Sequence, residues 1–224
     1  MAKNFEHPTI VAQYDRHIRC LIPGYELVHL QIQALLKTYL KADPKILIVG
    51  CGTGYELSYL LEKFADAEIV ALDPSQEMLN KAQANLLGHA RVGQVQFVLG
   101  DTSTLYQFRQ KFDAALSILV AHFIPDKAKL GFFQEIAQSL KPGGVCINYD
   151  LMHIDSAEER LRLKYLTQLI GLSEQQSDKM LERLDDDFHL ISNAQLKQIY
   201  RYSGFNNVQC FSQISNFFGY FATK

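Results

Sequence analysis

The sequence predicts an α/β protein built on a doubly wound, mostly parallel seven-stranded sheet. Three observations carry that expectation. Between residues 45 and 149, short apolar runs of strand length alternate with segments whose apolar residues recur at helical spacing. The first run, "KILIV" at 45–49, breaks into "GCGTG" and resumes as a helix pattern. The closing "NNVQCFSQISNFFGYFATK" alternates apolar and polar residues without a strongly helical stretch, as an antiparallel hairpin does.

Each element follows from its residues. After the glycines, Leu57, Leu60, Leu61 and Phe64 share a helical face. "AEIVALD", 67–73, is a second strand, and Met78, Leu79, Ala82 and Leu86 mark the helix behind it. "VQFVL", 95–99, and "FDAALSIL", 112–119, are the third and fourth strands. Leu130, Phe133, Ala137 and Leu140 mark a helix that "KPGG" ends, as the turn into a fifth strand, "VCINY" at 145–149. Parallel strands need such helical crossovers, and their continuous apolar runs fit burial on both faces.

Two regions stand outside the alternation. Residues 1–43 read as a helical N-terminal lid, with Val28, Ile32, Leu35, Leu36 and Tyr39 on one face. The remaining 44–224 form the main domain, in which 151–191 reads as a helical insert capping the substrate. Ser173 with Gln176, and Ser192 with Gln195, have capping-box spacing, and Gly204 stops the second of these helices. "LDDD", 184–187, reads as a solvated helix end.

Bulk properties narrow the function. The chain has 224 residues, 48% apolar and 21% charged, with a net charge of −2. That is ordinary for a globular protein, and it provides no broad attraction to nucleic acid or anionic membrane. Four scattered cysteines without C-x-x-C spacing fit reduced cytosolic thiols, not a zinc site or a disulfide framework. Neither a signal peptide nor a membrane-length apolar run is visible, so a cytoplasmic protein is expected.

The glycine turn narrows it further. Gly50, Gly52 and Gly54 are followed by Tyr55 and Glu56, without the lysine that a phosphate-cradling loop requires. The third glycine comes one residue too early for the dinucleotide fingerprint. Asp73 does end the second strand, where a carboxylate can accept hydrogen bonds from a ribose diol. Downstream, "GDTSTL" at 100–105, "FDAALSILVAHFIPD" at 112–126 and "LKPGG" at 140–144 follow in register.

This set, in this order, resembles the class I S-adenosylmethionine-dependent methyltransferases over about residues 45–150. The resemblance implies a Rossmann-like methyltransferase fold and S-adenosylmethionine as cofactor. It implies that Gly50, Cys51 and Gly52 lie under the methionine portion and that Asp73 binds the ribose. Pro74 and Met78 would pack near the adenine, Asp101 and Thr102 would meet its amine edge, and Ser117 and Leu119 would line the methyl-transfer cleft. The family often has an acid two residues before the first glycine; here that residue is Ile48. The cofactor ammonium then needs another partner.

"YDRHIRCLIPGYELVH", 14–29, and the C-terminal "GF…FSQISNFFGYFATK" resemble a branch that includes the tRNA wobble-uridine carboxy-S-adenosylmethionine synthase. There Tyr25 would reach the cofactor from the lid, with Tyr14 doing similar work, and a carboxylated cofactor would need an arginine. Lys179, Arg183 and, as the preferred carboxylate partner, Arg19 are the basic candidates. Arg16, His17, Arg19 and His29 otherwise read as a solvated helix face.

Methyl transfer needs positioning and a dry cleft, and a general base only when the nucleophile is protonated. His122 is the base candidate; packing near the cofactor or capping a helix is its alternative role. Asp150 and His153 read as surface or capping residues, and Tyr149 as packing. "SILV" after the fourth strand lacks the Asn/Asp-Pro-Pro-aromatic element of exocyclic-amine methylation. The expected activity is therefore methyl transfer to a small-molecule acceptor. Two alternatives remain: a carboxy-S-adenosylmethionine synthase or tRNA-modification enzyme, and a non-catalytic cofactor-binding module.

Overall fold

The computed structural model describes residues 5–108 and 111–224; the first four residues of the expected lid lie outside it. Helices α1 (Pro8–Leu21) and α2 (Tyr25–Tyr39) precede strand β1 (Lys45–Val49). There follow α3 (Tyr55–Lys63), β2 (Glu68–Asp73), α4 (Gln76–Asn85), β3 (Val95–Leu99), β4 (Phe112–Ile118), α5 (Asp126–Ser139) and β5 (Leu140–Leu151). Helices α6 (Ala157–Leu169), α7 (Glu174–Asp186) and α8 (Asn193–Tyr202) lead into the hairpin β6 (Asn206–Ile214) and β7 (Phe217–Thr223). The described strands form one seven-stranded sheet in the order β3-β2-β1-β4-β5-β7-β6. Its first five strands are parallel, and β7 runs antiparallel to both β5 and β6.

The continuous apolar strands are explained by cores on both faces. Ile46, Ile48, Leu116 and Ile147 pack with Ile32 and Leu36 of α2 and Leu57, Leu60 and Leu61 of α3. Leu47, Val49, Ala115 and Cys146, one residue out of phase, pack with Phe133 and Ile136 of α5 and Leu196 and Tyr200 of α8. Both expected capping boxes form, at Ser173 with Gln176 and Ser192 with Gln195.

Three local expectations are corrected. "KPGG" is a bulge inside β5, where pairing jumps from Phe112–Leu140 to Ala114–Val145, and not a turn before the strand. The buried face of α5 is Lys129, Phe132, Phe133, Ile136 and Ala137, while Leu130 is 36% exposed. The "LDDD" stretch is only partly solvated: Leu184 is buried, and the Asp187 carboxylate is covered and paired with Arg183 at 2.5 Å.

The β1–α3 turn is where backbone geometry forces the sequence. Gly50, Gly52 and Gly54 have φ of 70°, 51° and 82°, all in the left-handed region. At Gly50 an added Cβ would also lie 2.5 Å from Val120 Cγ2. Gly50→Ala is expected to lower stability by about 2–4 kcal/mol, combining strain with overpacking. Gly52→Ala, whose Cβ would meet nothing within 4 Å, is expected to show strain alone, about 1–2 kcal/mol. Urea denaturation of both variants checks this, and equal losses would show that the Val120 contact is yielding.

Candidate active site

The turn is tied to the next strand by its own backbone. Gly50 and Cys51 both donate N–H to the Leu72 carbonyl, at 2.8 and 3.0 Å. Asp73, ending β2, accepts from Gly52 N at 2.8 Å and from Ser75 N at 2.9 Å. Burial pushes the Asp73 carboxyl upward, while those two donors pull it back. Above the turn, Thr53 donates its hydroxyl to Asp15 of α1, and Ser75 Oγ donates to the Phe5 carbonyl at 2.9 Å.

A second group of polar side chains gathers beside the turn. Glu56, in the first turn of α3, is 7% exposed. Burial pushes its carboxyl up to about 7, with the Asp15 charge adding to the shift. Around it lie Tyr14, Tyr25 and Tyr59, each of whose hydroxyls is raised first by burial and then by the Glu56 charge. His29 is 1% exposed, with Nδ1 3.4 Å from Tyr59 Oη and Nε2 3.9 Å from Glu56 Oε1. Burial lowers this imidazole to about 3, so it is neutral at physiological pH.

Across the carboxyl ends of the strands lies an apolar cavity of about 270 Å³. Tyr14, Ile18 and Leu21 of α1, Leu119 and His122 after β4, Phe217 of β7 and several residues of α7 line it. Leu119 holds a left-handed φ of 60°, its N–H bonded to the Tyr149 carbonyl at 2.7 Å. Strained non-glycine residues of this kind cluster at functional sites. His122 sits in a short 3₁₀ turn, Ala121–Phe123, with its Nδ1 paired to Asp150. Asp150 is 1% exposed and also accepts the N–H of His122 at 3.1 Å and of Leu151 at 2.8 Å. With Nδ1 donating to the carboxylate, the neutral imidazole carries its lone pair on Nε2.

Residues 46–144 match the family model of a methyltransferase domain. A carboxy-S-adenosyl-L-methionine synthase of Hydrogenovibrio crunogenus is 25% identical, across 96% of this chain and 87% of its own. The magnesium protoporphyrin IX methyltransferase of Synechocystis PCC 6803, solved with bound S-adenosylhomocysteine, superposes with a TM-score of 0.62 at 18% identity, covering 90% of this chain and 84% of that one. The chain is an S-adenosylmethionine-dependent methyltransferase, with residues 46–144 as its methyltransferase domain. A fatty-acid O-methyltransferase of Mycolicibacterium smegmatis is 32% identical, over 56% of this chain and 44% of its own.

The cofactor of this methyltransferase is S-adenosylmethionine, and the residues present fit it. A Cβ on Gly52 would enter open space, so the backbone there is bare to a ligand. A buried carboxylate stands at the end of β2, and the neighbouring acidic group suits a cationic ligand. Among the described residues no helix is long and apolar enough to cross a membrane.

The other anticipated residues divide. Pro74 is exposed and Met78 buried, the latter donating its N–H to Ser75 Oγ at 3.1 Å. Asp101 caps the turn Thr102–Gln107, its Oδ1 accepting Ser103 N at 2.9 Å, and Thr102 is buried. Ser117 is fully buried at the end of β4. Tyr149 packs on Phe217, and His153 pairs at the surface with Asp155. Arg19 is bound to Glu26 at 2.9 Å and lies over the Tyr55 ring, away from the cavity wall. Lys179 and Arg183 do line the cavity. The solvated-face reading of His29 is overturned, because α2 turns it inward among three tyrosines. So is the surface reading of Asp150, which the β5 strand buries under His122. Glu56 was outside the anticipated set; its one signal was position, in the first helical turn after the glycines.

Two outcomes are expected. Asp73→Ala should weaken S-adenosylhomocysteine binding by about 1.5–3 kcal/mol, roughly 10- to 150-fold, measured by calorimetric titration. Glu56 holds its proton more tightly folded than unfolded, so its stabilising effect is complete below about 4.5 and is lost as pH rises toward about 7. Ligand-free Glu56→Gln should therefore be more stable than the parent at pH 8, by up to about 3 kcal/mol, with the gap closing toward pH 4.5. Urea denaturation across that range reads the gap directly.

Proposed function

We propose that this methyltransferase acts on a small, largely apolar acceptor whose nucleophile carries a proton, with His122 as general base. The buried His122–Asp150 pair on the cavity wall carries the reading. When bound, S-adenosylmethionine supplies an electrophilic methyl group. Asp150 holds the imidazole in one tautomer, and Nε2, which has no hydrogen-bond partner among the described residues, accepts the acceptor's proton. The aromatic and aliphatic walls exclude water, which otherwise competes for that nitrogen.

The crevice roles follow the same line. Gly50, Cys51 and Gly52 offer backbone to the methionine end, and Asp73 keeps lone pairs for the ribose. Pro74, Met78, Asp101 and Thr102 frame the adenine, and Leu119 with Ser117 stands at the transfer end. Tyr14 and Tyr25 close the crevice from residues 1–43, which serve as the lid, with 151–191 as the cap over the acceptor. Lys179 at the cavity wall favours an acceptor with an anionic end, while Arg183 there is paired with Asp187.

A second reading, synthesis of a carboxylated cofactor, is favoured by similarity to the named synthase along 96% of the chain. In that reading Lys179 meets the added carboxylate, since Arg19 is paired with Glu26 and Arg183 with Asp187. The mass of the copurified ligand distinguishes the two, since the synthase reading requires the carboxylated form.

With a panel of carboxylic acids, phenols and amines, methyl incorporation is expected for at least one apolar member. Against that acceptor His122→Gln should lower kcat by about 10²–10⁴-fold, and Asp150→Asn should reduce it too by offering the wrong tautomer. Undiminished kcat in a folded His122→Gln protein would remove the base assignment.

A further inference from the structure

The group around Glu56 is negative without a matching cation. Asp15 is satisfied by the Thr53 hydroxyl, and Asp73 by the N–H groups of Gly52 and Ser75. Glu56 accepts a hydrogen bond from its own backbone N–H but has no cation beside it: among the described residues its ion-pair neighbour is the neutral His29, whose Nε2 stands off at 3.9 Å. That nitrogen is itself buried, without a hydrogen-bond partner among the described residues. The Arg19 guanidinium is paired with Glu26. A buried carboxylate normally finds a cation or several donors. Here a buried carboxylate without a cation and an imidazole nitrogen without a hydrogen-bond partner among the described residues face each other beside a glycine turn whose Gly52 opens to empty space.

Ile48 packs in the same apolar cluster as Tyr25 and Tyr59, on the side of the sheet from which Glu56 approaches. Negative charge therefore reaches this spot from the helix and not from the strand. We propose that Glu56, flanked by Asp15 and Tyr14, is the binding residue for the ammonium group of the cofactor's amino-acid end. This rests on the crevice being the cofactor site, and it assigns a partner within that site.

Calorimetric titration with two ligands tests it: S-adenosylhomocysteine, and its deamino analogue, which keeps the nucleoside, thioether and carboxylate. The parent protein should bind S-adenosylhomocysteine at least 10-fold more tightly than the analogue. Glu56→Gln should weaken S-adenosylhomocysteine at least 10-fold and change the analogue less than twofold. Thermal melting first confirms that the variant is folded, and Asp15→Asn, which leaves Glu56 intact, should give a smaller loss in the same direction. Equal weakening of both ligands, or no change in either, overturns the assignment. If the parent protein binds neither ligand, the cofactor site itself is misplaced, a result distinct from either of those.

Discussion

The site depends on one carboxylate that bridges two loops. Asp73 accepts the N–H of Gly52 from the first crossover and of Ser75 from the second, so the ends of β1 and β2 are fastened at one point. The Leu72 carbonyl repeats the tie through Gly50 and Cys51. Because these are backbone donors, the turn is held open in a shape that no side chain fills. The three left-handed glycines are the conformational requirement of that shape. Asp73 thus serves the fold before any ligand arrives.

The same economy operates at the other strand ends. The turn bearing His122 is held from below by Lys129, which is 1% exposed and donates Nζ to the Ile124 carbonyl at 2.8 Å and to that of Ala121. Burial lowers this ammonium, and the Asp150 carboxylate counters the shift. A buried cation and a buried anion therefore flank the His122 turn from α5 and β5, and each reduces the cost of burying the other. This leaves the imidazole with its backbone, its Nδ1 and its ring faces all fixed, the last by Phe123 at 4.0 Å and Phe188 at 4.7 Å. Preorganisation of that completeness is what a proton acceptor needs in a dry cavity.

The strands, the crossover helices, both capping boxes and the glycine turn were legible because each is written in local periodicity or in a short spacing rule. The bulge at "KPGG" was not, since it arises from pairing with Phe112 and Ala114, some thirty residues earlier in the chain. His29, Asp150 and Glu56 share a different reason. Each is a polar residue whose burial is decided by partners from other elements: Tyr59 for His29, His122 for Asp150, and α1 and α2 together for Glu56. Residue type alone reads such positions as surface, because charged residues are seldom buried. Asp15 was hidden in plain view beside Tyr14; only the fold shows that it reaches Thr53 in the turn.

Helix α1 joins the polar crevice to the apolar cavity. Tyr14, Ile18 and Leu21 fall at i, i+4 and i+7, so one stripe of the helix forms cavity wall. Asp15, one residue round, points instead to the glycine turn. A single rigid element therefore contacts both sites. Moving it to admit a ligand to either site would break the Asp15–Thr53 bond and expose the apolar stripe together. Any group that touched Tyr14 or Asp15 from the crevice would therefore also bear on the cavity wall.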